Sequence, residues 1–392
     1  MKKLVKYPLL VLFAAFLIVC SIADMLISRR EFSEMENRYL AQRPKFTVKS
    51  LVSNQYTLDY EKYINDQFVG RDHWITLKSV SESVLGKIEN NGIVYGKEHH
   101  MFEKYRTTDE RGIKANTGYL NEFLSGYEGN VTFALIPNSY QVLKDLVPRG
   151  LVNIDQQSYI NQIYSRLEGE NLTKLDMFPA MEQAVADAKK DNPSGFGENG
   201  QQAYYRTDHH WTTYGAYYGY ANYVRSLGME PIELDLLQGY KRQQEGFYGS
   251  YYSKAKLFST LPDTIDYYEI PVESVTIEGE EKPELYDKEQ WGKRDKYAAF
   301  LYGNHGVTVI KTKNNQYSQP GEVSRVLVVK DSYANCFVPF LTYNFDEVFV
   351  VDLRSLPMKM SELLGQYEFD DILIMYNFMN YASDTNIAKI KY

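Results

Sequence analysis

Three short apolar runs near the end of the chain constrain its fold more than any other feature. They lie within RVLVVKDSY, DEVFVVDLR and DDILIMYNF. Each run is long enough for a strand, and roughly 15–20 residues separate one run from the next, which is the space that a β-α-β crossover needs. Continuous apolar runs are typical of parallel strands that are covered on both faces. The pattern therefore predicts an α/β fold with a buried parallel sheet.

Polar residues stand directly after each of these runs. Asp331 and Ser332 follow the first run, Asp352 and Arg354 follow the second, and Asn377 follows the third. Ligands of open parallel sheets bind in the crevice at the carboxyl ends of the strands. The spacing therefore predicts a functional site at this edge of the sheet.

The rest of the chain divides by composition. The stretch GNVTFALIPNSY predicts a further buried strand from Val131 to Ile136, which ends in a Pro-Asn turn near the start of the globular fold. We assign residues 96–392 to that domain, with a polar, Tyr-rich insertion at about 230–298. Residues 29–95 are charged and place apolar side chains at helical spacing, which predicts a helical stalk or docking segment.

The first residues have the layout of a secretory signal or an uncleaved anchor. Lys2, Lys3 and Lys6 precede an apolar run from Leu9 to about Ala23. This run is a little shorter than the roughly 20 apolar residues that a spanning helix prefers, and its end also suits a signal peptidase. Residues 1–28 are thus predicted to be a signal anchor or a signal peptide. The rest of the chain is then extracytoplasmic, held at the cell membrane by a single N-terminal helix, or secreted if the leader is cleaved.

Composition excludes some classes of partner and leaves others open. The net charge is −8 and no basic stripe is present, which argues against nucleic acid. Cys336 is the only cysteine outside the leader, so no intramolecular disulfide stabilises the exported part. The 35 tyrosines suit the binding of sugar rings, because each ring offers a flat apolar face and a polar tip. Tyrosine-rich cores give the same count, and composition does not separate the two interpretations.

The motif TDHHWTTYGAY places an acidic side chain beside two imidazoles. On an extended segment, Asp208 and His210 project from the same face, so the carboxylate can hold the Nδ1–H group of His210. The side chain of His209 is then expected on the opposite face, in a supporting or packing role. A helix is predicted to begin after Thr212 or Thr213 as N-cap and to stop at Gly228.

Ser332 is the partner that this pair requires. A serine directly after a buried strand and before a helix-compatible segment resembles the placement that raises a nucleophilic hydroxyl above a sheet. A serine hydroxyl is a weak nucleophile without a base, and an imidazole oriented by a carboxylate supplies one. On its own, a serine in this position is more often a plain turn residue. Together with Asp208 and His210 it predicts a Ser-His-Asp triad.

These motifs resemble those of a known family. TDHHWTTYGAY, SEMENRYLAQRPKF, YINDQFVGRDHW, FYGSYYSKA and FLYGNHG are similar to blocks of DHHW proteins, and KDSYAN resembles the serine motif of SGNH-like polysaccharide O-acetyltransferases of the alginate type. The resemblance implies a three-layer α/β/α sandwich of the SGNH-hydrolase type. It also implies a permuted order, in which the Asp-x-His pair precedes the serine, as Asp208, His210 and Ser332 do here.

The same resemblance implies which groups bind the substrate and stabilise an oxyanion. Asn377 takes the place of the SGNH asparagine. The end of the segment VVDLR takes the place of the block that contributes a second oxyanion donor, a backbone N–H. Arg354 stands near the position where ordinary SGNH enzymes have a glycine, so the resemblance leaves this second donor open. Asn304, in the segment YGNHG, suits either a turn or a substrate contact.

The function that the resemblance implies is an extracytoplasmic O-acetyltransferase that acts through a serine acyl-enzyme. The acceptor is a cell-surface or secreted polysaccharide, and a membrane-bound O-acyltransferase supplies the acetyl group. Two alternatives stay open: an extracellular carbohydrate acetylesterase, and a non-catalytic surface scaffold with a degenerate triad.

Metal chemistry is a weaker interpretation of the histidine pair. A manganese phosphoesterase of the DHH type needs several further aspartates at strand ends, and a zinc site at His209 and His210 needs further ligands at recognisable spacing. Neither pattern is evident. We therefore expect no metal and no cofactor.

Overall fold

The computed structural model describes residues 7–33, 38–191 and 201–391. The predicted positive charges of the leader at Lys2, Lys3 and Lys6 lie outside the described residues. The chain forms two compact units. The first unit comprises Met1–Asn90 with Ser253–Ser259, and the second comprises Asn91–Tyr252 with Thr260–Tyr392.

The first unit is mainly helical. Its elements are α1 (Pro8–Leu26), β1 (Phe32–Ser33), β2 (Arg38–Tyr39), α2 (Val48–Val52), α3 (Gln55–Gln67), α4 (Arg71–Val84) and β3 (Glu89–Asn90). The guanidinium group of Arg38 donates to both carboxylate oxygens of Asp66, at 2.9 and 2.6 Å, which links β2 to α3. Within the described part of the chain, no helix combines the length and the apolarity needed to cross a membrane.

The chain from Asn91 onward alternates strands and helices. The strands are β4 (Ile93–Tyr95), β5 (Met101–Glu103), β6 (Val131–Ile136), β7 (Leu172–Asp176), β8 (Lys241–Phe247), β9 (Asp263–Tyr268), β10 (Ser274–Ile277), β11 (Glu280–Lys282), β12 (Thr308–Lys311), β13 (Arg325–Lys330), β14 (Glu347–Val351) and β15 (Asp371–Asn377). The helices are α5 (Glu110–Gly126), α6 (Ser139–Val142), α7 (Gln156–Arg166), α8 (Phe178–Asp191), α9 (Thr213–Ser226), α10 (Ser250–Ala255), α11 (Val338–Leu341), α12 (Met360–Leu364) and α13 (Phe378–Ser383).

Eight of these strands form one mixed, mostly parallel sheet in the order β11-β10-β12-β14-β13-β15-β6-β7. The five strands β14, β13, β15, β6 and β7 run parallel to one another, which confirms the parallel pairing expected of the three C-terminal runs. The strands β12, β10 and β11 continue the sheet in antiparallel fashion, an edge that the sequence did not predict. The residues of β10 and β12 alternate buried with less buried positions and β11 has no buried residue, so these strands lack the continuous apolar run of a central strand. Two of them, β10 and β11, come from the segment interpreted as an insertion.

A separate hydrophobic core covers each face of the sheet. Val326 and Val328 of β13 point into one core, which includes residues of α8, α9 and α11. Leu327 and Val329 point into the other, which includes residues of α5, α7, α12 and α13. Because side chains of a strand alternate between faces, one continuous apolar run supplies both cores. The rigid sheet thus fixes the residues that follow its carboxyl edge.

Candidate active site

Asp208 and His210 lie in a tight turn, and the prediction of an extended segment was wrong. Tyr204 and Trp211 pair across the turn as an antiparallel bridge. The carboxylate of Asp208 folds back to accept a hydrogen bond from the backbone N–H of His210 at 3.0 Å, the local bond by which aspartate stabilises turns. As a result the rings of His209 and His210 are neighbours, with centroids 3.8 Å apart, and do not lie on opposite faces.

The Asp208 carboxylate is buried, and both of its oxygens make hydrogen bonds. Its Oδ1 lies 2.6 Å from Nδ1 of His210, and its Oδ2 accepts the backbone N–H of Ser250 at 2.7 Å. The ring of His209 is held beside them, with its Nδ1 2.7 Å from the hydroxyl of Ser250. Burial by itself would raise the pKa of Asp208, but the charge and hydrogen bonds of the two histidines outweigh it and lower that pKa well below its usual range. Asp208 is therefore ionised at neutral pH.

His210 connects this carboxylate to Ser332. Its Nε2 lies 2.7 Å from Oγ of Ser332, so the two segments meet although 122 positions separate them. The imidazole stacks on the ring of Tyr297, with centroids 3.8 Å apart and an interplanar angle of 12°. Burial lowers the pKa of His210 to about 4, helped by the charge of His209 and opposed by that of Asp208. The neutral ring, with Nδ1–H donating to Asp208, has Nε2 free to accept the hydroxyl proton of Ser332.

Asp331 fixes the position of Ser332 at the end of β13. Its carboxylate accepts the backbone N–H of Tyr333 at 2.9 Å, the backbone N–H of Asn377 at 2.8 Å and the side-chain amide of Asn380 at 2.7 Å. Ser332 then begins a short 3-10 helix that ends at Cys336. Its own backbone N–H has no hydrogen-bond acceptor among the described residues. Sequence reasoning assigned no role to Asp331, although its place beside Ser332 at a strand end was the available signal.

The segments that carry His210 and Ser332 are also tied together directly. The indole Nε1–H of Trp211 donates to the carbonyl of Tyr333 at 2.7 Å, and the hydroxyl of Tyr333 donates to the carbonyl of His209. Trp211 is completely buried, as expected of a core residue. These two bonds hold residues 208–211, the DHHW turn, against the beginning of the 3-10 helix.

Asn377 lies at the carboxyl edge but has structural partners. Its Nδ2 donates to the carbonyl of Ile136 at 3.0 Å, and its Oδ1 accepts the N–H of Met379 at 3.0 Å as the N-cap of α13. The side-chain amide has a second hydrogen beyond the one that Ile136 receives. Donation to an oxyanion by Asn377 therefore stays a prediction.

Asn304 and Arg354 belong to a polar network around Lys330 and Asp352. The Nζ of Lys330 donates to Oδ1 of Asn304 at 2.7 Å and lies 3.6 Å from a carboxylate oxygen of Asp352. Arg354 binds the same carboxylate through two bonds of 2.9 and 2.5 Å. Burial lowers the pKa of Lys330 to about 8, against the charge of Asp352, which raises it. Substrate contact by Asn304 or Arg354 stays a prediction; Lys330 was missed, because it reads as the end of an apolar strand.

Asp208, His209 and His210 also offer one ligand atom each within 4.8 Å of one another. A metal ion there would compete with bonds that these groups already make. Oδ1 of Asp208 and Nδ1 of His210 are bonded to each other at 2.6 Å, and the remaining carboxylate oxygen accepts a backbone N–H. The donor atoms are thus arranged for proton sharing rather than for coordination.

Fold and site together define a mixed α/β protein with a candidate nucleophilic serine at the carboxyl edge of a large, mostly parallel sheet. The family model described as "DHHW protein" matches residues 129–351, more than half of the chain. The chain therefore belongs to the DHHW family, as its motifs predicted. A comparison with curated proteins gave no match.

Several solved structures share the fold. A DHHW family protein from Eubacterium siraeum is 22% identical, with a TM-score of 0.62 over 78% of this chain and 96% of that one. PatB1 from Bacillus cereus is 20% identical, with a TM-score of 0.61 over 76% of this chain and 99% of that one. A second structure of PatB1, which carries a sulfonyl adduct, is 18% identical, with a TM-score of 0.57 over 76% and 98%. At these identities the similarity shows the fold.

Proposed function

We propose that this protein is an O-acetyltransferase that moves an acetyl group through a Ser332 acyl-enzyme onto a polysaccharide outside the cytoplasm. The observation that carries the proposal is the hydrogen-bonded chain from Asp208 through His210 to Ser332, with separations of 2.6 and 2.7 Å. This is the arrangement that activates a serine hydroxyl. Membership of the DHHW family supports the same chemistry, and so does the resemblance of the motifs to SGNH-like enzymes in which the Asp-x-His pair precedes the serine.

The proposed reaction has two displacements. In the first, Nε2 of His210 takes the hydroxyl proton as Oγ of Ser332 attacks the acetyl carbonyl. The leaving group of the donor then departs with that proton, and an acetyl ester on Ser332 remains. In the second, a sugar hydroxyl gives its proton to His210 and attacks the ester carbonyl. Ser332 leaves, recovers the proton from His210, and the acetylated sugar is released.

Each displacement passes through a tetrahedral oxyanion that needs donors. The backbone N–H of Ser332 is the first candidate, because no other described group accepts its hydrogen bond. The second amide hydrogen of Asn377 is the next candidate. Asn304 and Arg354 are assigned to substrate binding near the same edge. A preorganised donor of this kind contributes roughly 3 kcal/mol to the stabilisation of a transition state.

The proposed setting is the outer side of the cell membrane. The apolar run from Leu9 to Ala23, with lysines before it, is assigned to a signal anchor or a cleaved signal peptide. A membrane-bound O-acyltransferase is proposed to deliver the acetyl group from the cytoplasm, because Ser332 would lie on the opposite side of the membrane. Cell-wall polymers, capsules and secreted exopolysaccharides all satisfy the proposed acceptor class.

The proposal is tested first at Ser332 itself. The sulfonyl adduct of one PatB1 structure suggests a sulfonyl fluoride as the reagent, since an activated serine displaces fluoride and keeps the sulfonyl group. We expect stoichiometric labelling of Ser332 by mass spectrometry, and a transient acetyl adduct from p-nitrophenyl acetate. Ser332→Ala should abolish both adducts, whereas Ser361→Ala, at an exposed position in α12, should leave both unchanged.

Three outcomes would count against the proposed chemistry. Absence of any adduct on the folded wild-type protein would favour a non-catalytic scaffold. Adducts that persist in Ser332→Ala would mean that another residue is the nucleophile. Loss of acetyl transfer after treatment with an excess of chelator would favour a metal at Asp208, His209 and His210 instead.

Transfer and hydrolysis are separated in cells. Deletion of this gene, or of the gene for the membrane-bound O-acyltransferase, should each lower the acetyl content of the surface polymer. A higher acetyl content after deletion of this gene alone would identify a carbohydrate acetylesterase and refute transfer.

A further inference from the structure

Tyr297 contacts both His210 and Ser332. Its ring lies flat against the imidazole of His210, with centroids 3.8 Å apart and an interplanar angle of 12°. Its hydroxyl group donates to the backbone carbonyl of Ser332 at 3.0 Å, while the carbonyl of Tyr333 and Sγ of Cys336 are farther away, at 3.4 and 3.3 Å. One side chain therefore links the base of the proposed reaction to the backbone of its nucleophile.

Tyr297 comes from the segment at about 230–298 that was interpreted as an insertion, yet its side chain has little freedom to move. It is 3% exposed and belongs to a short 3-10 helix, Lys296–Ala299. Its ring packs against Phe300, with centroids 5.3 Å apart, and stands edge-on to Tyr205 at 6.3 Å. Burial raises the pKa of Tyr297 well above its usual value, so its hydroxyl group keeps its proton at neutral pH. A fixed, uncharged aromatic face thus covers the imidazole.

The proposed reaction requires His210 to become positively charged. Its imidazole takes the proton of Ser332 in the first displacement and the proton of the sugar hydroxyl in the second. Burial disfavours this charge and lowers the pKa of His210 to about 4. A group raises the rate if it attracts the imidazolium more strongly than the neutral ring, because only interactions that strengthen in the transition state do so. Asp208 is one such group, and it contacts the edge of the ring, at Nδ1.

The Tyr297 ring meets the imidazole over its face instead. The face of an aromatic ring carries partial negative charge and attracts a cation that lies within about 6 Å of the ring centroid. The separation of 3.8 Å between the two centroids is well inside this range. The attraction is strongest where water is excluded, and both rings are buried. It acts mainly on the charged imidazolium, so the contact strengthens as His210 takes a proton.

We infer that Tyr297 is a positioning residue whose ring face stabilises the imidazolium of His210 and whose hydroxyl group fixes the backbone of Ser332. The inference rests on the proposed function for the step in which His210 takes a proton. A tyrosine that only filled the core would hold the imidazole in place, but it would not respond to the charge of that ring. This difference can be measured.

The experiment changes the charge distribution of the ring and keeps its shape. In the full-length protein, Tyr297 is replaced through nonsense suppression by phenylalanine with none, one, two or three fluorines on the ring. Each fluorine withdraws electron density from the face and adds little volume. We expect the rate of Ser332 acylation by p-nitrophenyl acetate to fall at each step, by about 5- to 30-fold between none and three fluorines. A rate that stays within twofold across the series would overturn the inference.

The same fluorinated residues at Phe133 are the matched control for the effect of fluorine in a packed core. Phe133 is buried on the other face of the sheet, where its ring contacts Tyr164 and Tyr381. Fluorines there should leave the acylation rate unchanged. An equal fall of the rate at both positions would assign the effect to packing and refute a charge effect at Tyr297.

Tyr297→Phe, compared with the wild type, tests the hydroxyl group separately. The carbonyl of Ser332 loses its donor, so we expect a lower melting temperature and an acylation rate about 2- to 10-fold lower. An unchanged rate and an unchanged melting temperature would remove the hydroxyl group from the inference.

A further measurement on the same series does not depend on catalysis. NMR of isotope-labelled histidine gives the pKa of His210 in the folded protein, and this pKa should decrease with each fluorine at Tyr297, because the weakened ring face favours the imidazolium less. A decrease in a protein whose Ser332 takes no label would keep the ring contact and reject the proposed reaction. Normal labelling of Ser332, with a rate and a pKa that do not change along the series, would reject the inference and keep the proposed function.

Discussion

Gly249 provides the sharpest test of the proposed chemistry, because a single methyl group there would strike the Asp208 carboxylate. A Cβ atom built at Gly249 lies 2.2 Å from Cβ, 2.4 Å from Oδ2 and 2.7 Å from Cγ of Asp208. The close approach has a clear reason. The loop must pass over Asp208 so that the backbone N–H of Ser250 can donate to Oδ2 at 2.7 Å.

The cost of Gly249→Ala follows from that overlap. Ordinary contact begins at about 3.4 Å, so Asp208 or the loop must move by about 1.2 Å. A misplacement of about 1 Å in a catalytic group costs about 10²-fold in rate, and an added methyl in a packed site costs about 1–3 kcal/mol of stability. We expect the rate of Ser332 acylation to fall about 100-fold while the protein remains folded.

The assay is the burst of p-nitrophenol release at 25 °C, with the melting temperature measured on the same samples. Gly239→Ala is the matched control, because a Cβ atom there meets nothing within 4 Å. It should keep the wild-type rate. A Gly249→Ala protein that acylates Ser332 within twofold of the wild-type rate would refute the argument that the position of Asp208 governs the reactivity of Ser332.

Two further predictions concern the charge state of the same residues. Asp208→Asn replaces the carboxylate that accepts the Nδ1–H of His210 by an amide, which favours the wrong tautomer of the imidazole. We expect the rate of Ser332 acylation, measured in a single turnover, to fall on the order of 10⁴-fold with little change in secondary structure. Because the pKa of His210 is lowered to about 4 from an ordinary 6.5, acylation should stay level from pH 7 down to about 5 and fall only as pH approaches 4. Between these two pKa values the unfolded chain binds a proton on His210 that the folded chain does not. The free energy of unfolding should therefore be unaffected by His210 above pH 6.5 and should decrease as pH falls towards 4. Denaturant titrations across this pH range would detect the decrease. A rate that halves near pH 6.5 would contradict the buried, neutral imidazole.

The strands could be predicted from the sequence where the apolar run is continuous. The predicted strand Val131–Ile136 has these bounds in the structure, and the three C-terminal runs form β13, β14 and β15. Both ends of α9 could also be predicted from nearby residues. Thr212 is the N-cap, since its side chain accepts the N–H of Gly215. The helix ends two residues before Gly228, which has a φ of 77°. In both cases the determining atoms lie within a few residues of one another.

The antiparallel edge and the shape of the DHHW turn could not be predicted in this way. The turn depends on where the Asp208 side chain points, and that direction is fixed by Ser250, which lies 42 positions away. Lys330 was missed for a similar reason: a buried lysine is tolerated only because Asp352 and Asn304 meet it from other segments. Residue types thus indicated which groups meet, whereas long-range contacts decided their orientation.

Two buried aspartates flank the site, and their surroundings assign them different roles. Asp331 is next to Ser332 in sequence, yet its carboxylate accepts bonds from Asn377, Asn380 and Tyr333, and burial outweighs these donors and raises its pKa. Asp208 instead faces two imidazoles, whose charge and hydrogen bonds lower its pKa despite burial. A carboxylate that stabilises a developing imidazolium must itself be ionised, as Asp208 is, and Asp208 is also the aspartate of the two that contacts His210. In the proposed reaction Asp331 therefore positions the serine, and the electrostatic partner of the imidazole is Asp208, the aspartate that lies farther away in sequence.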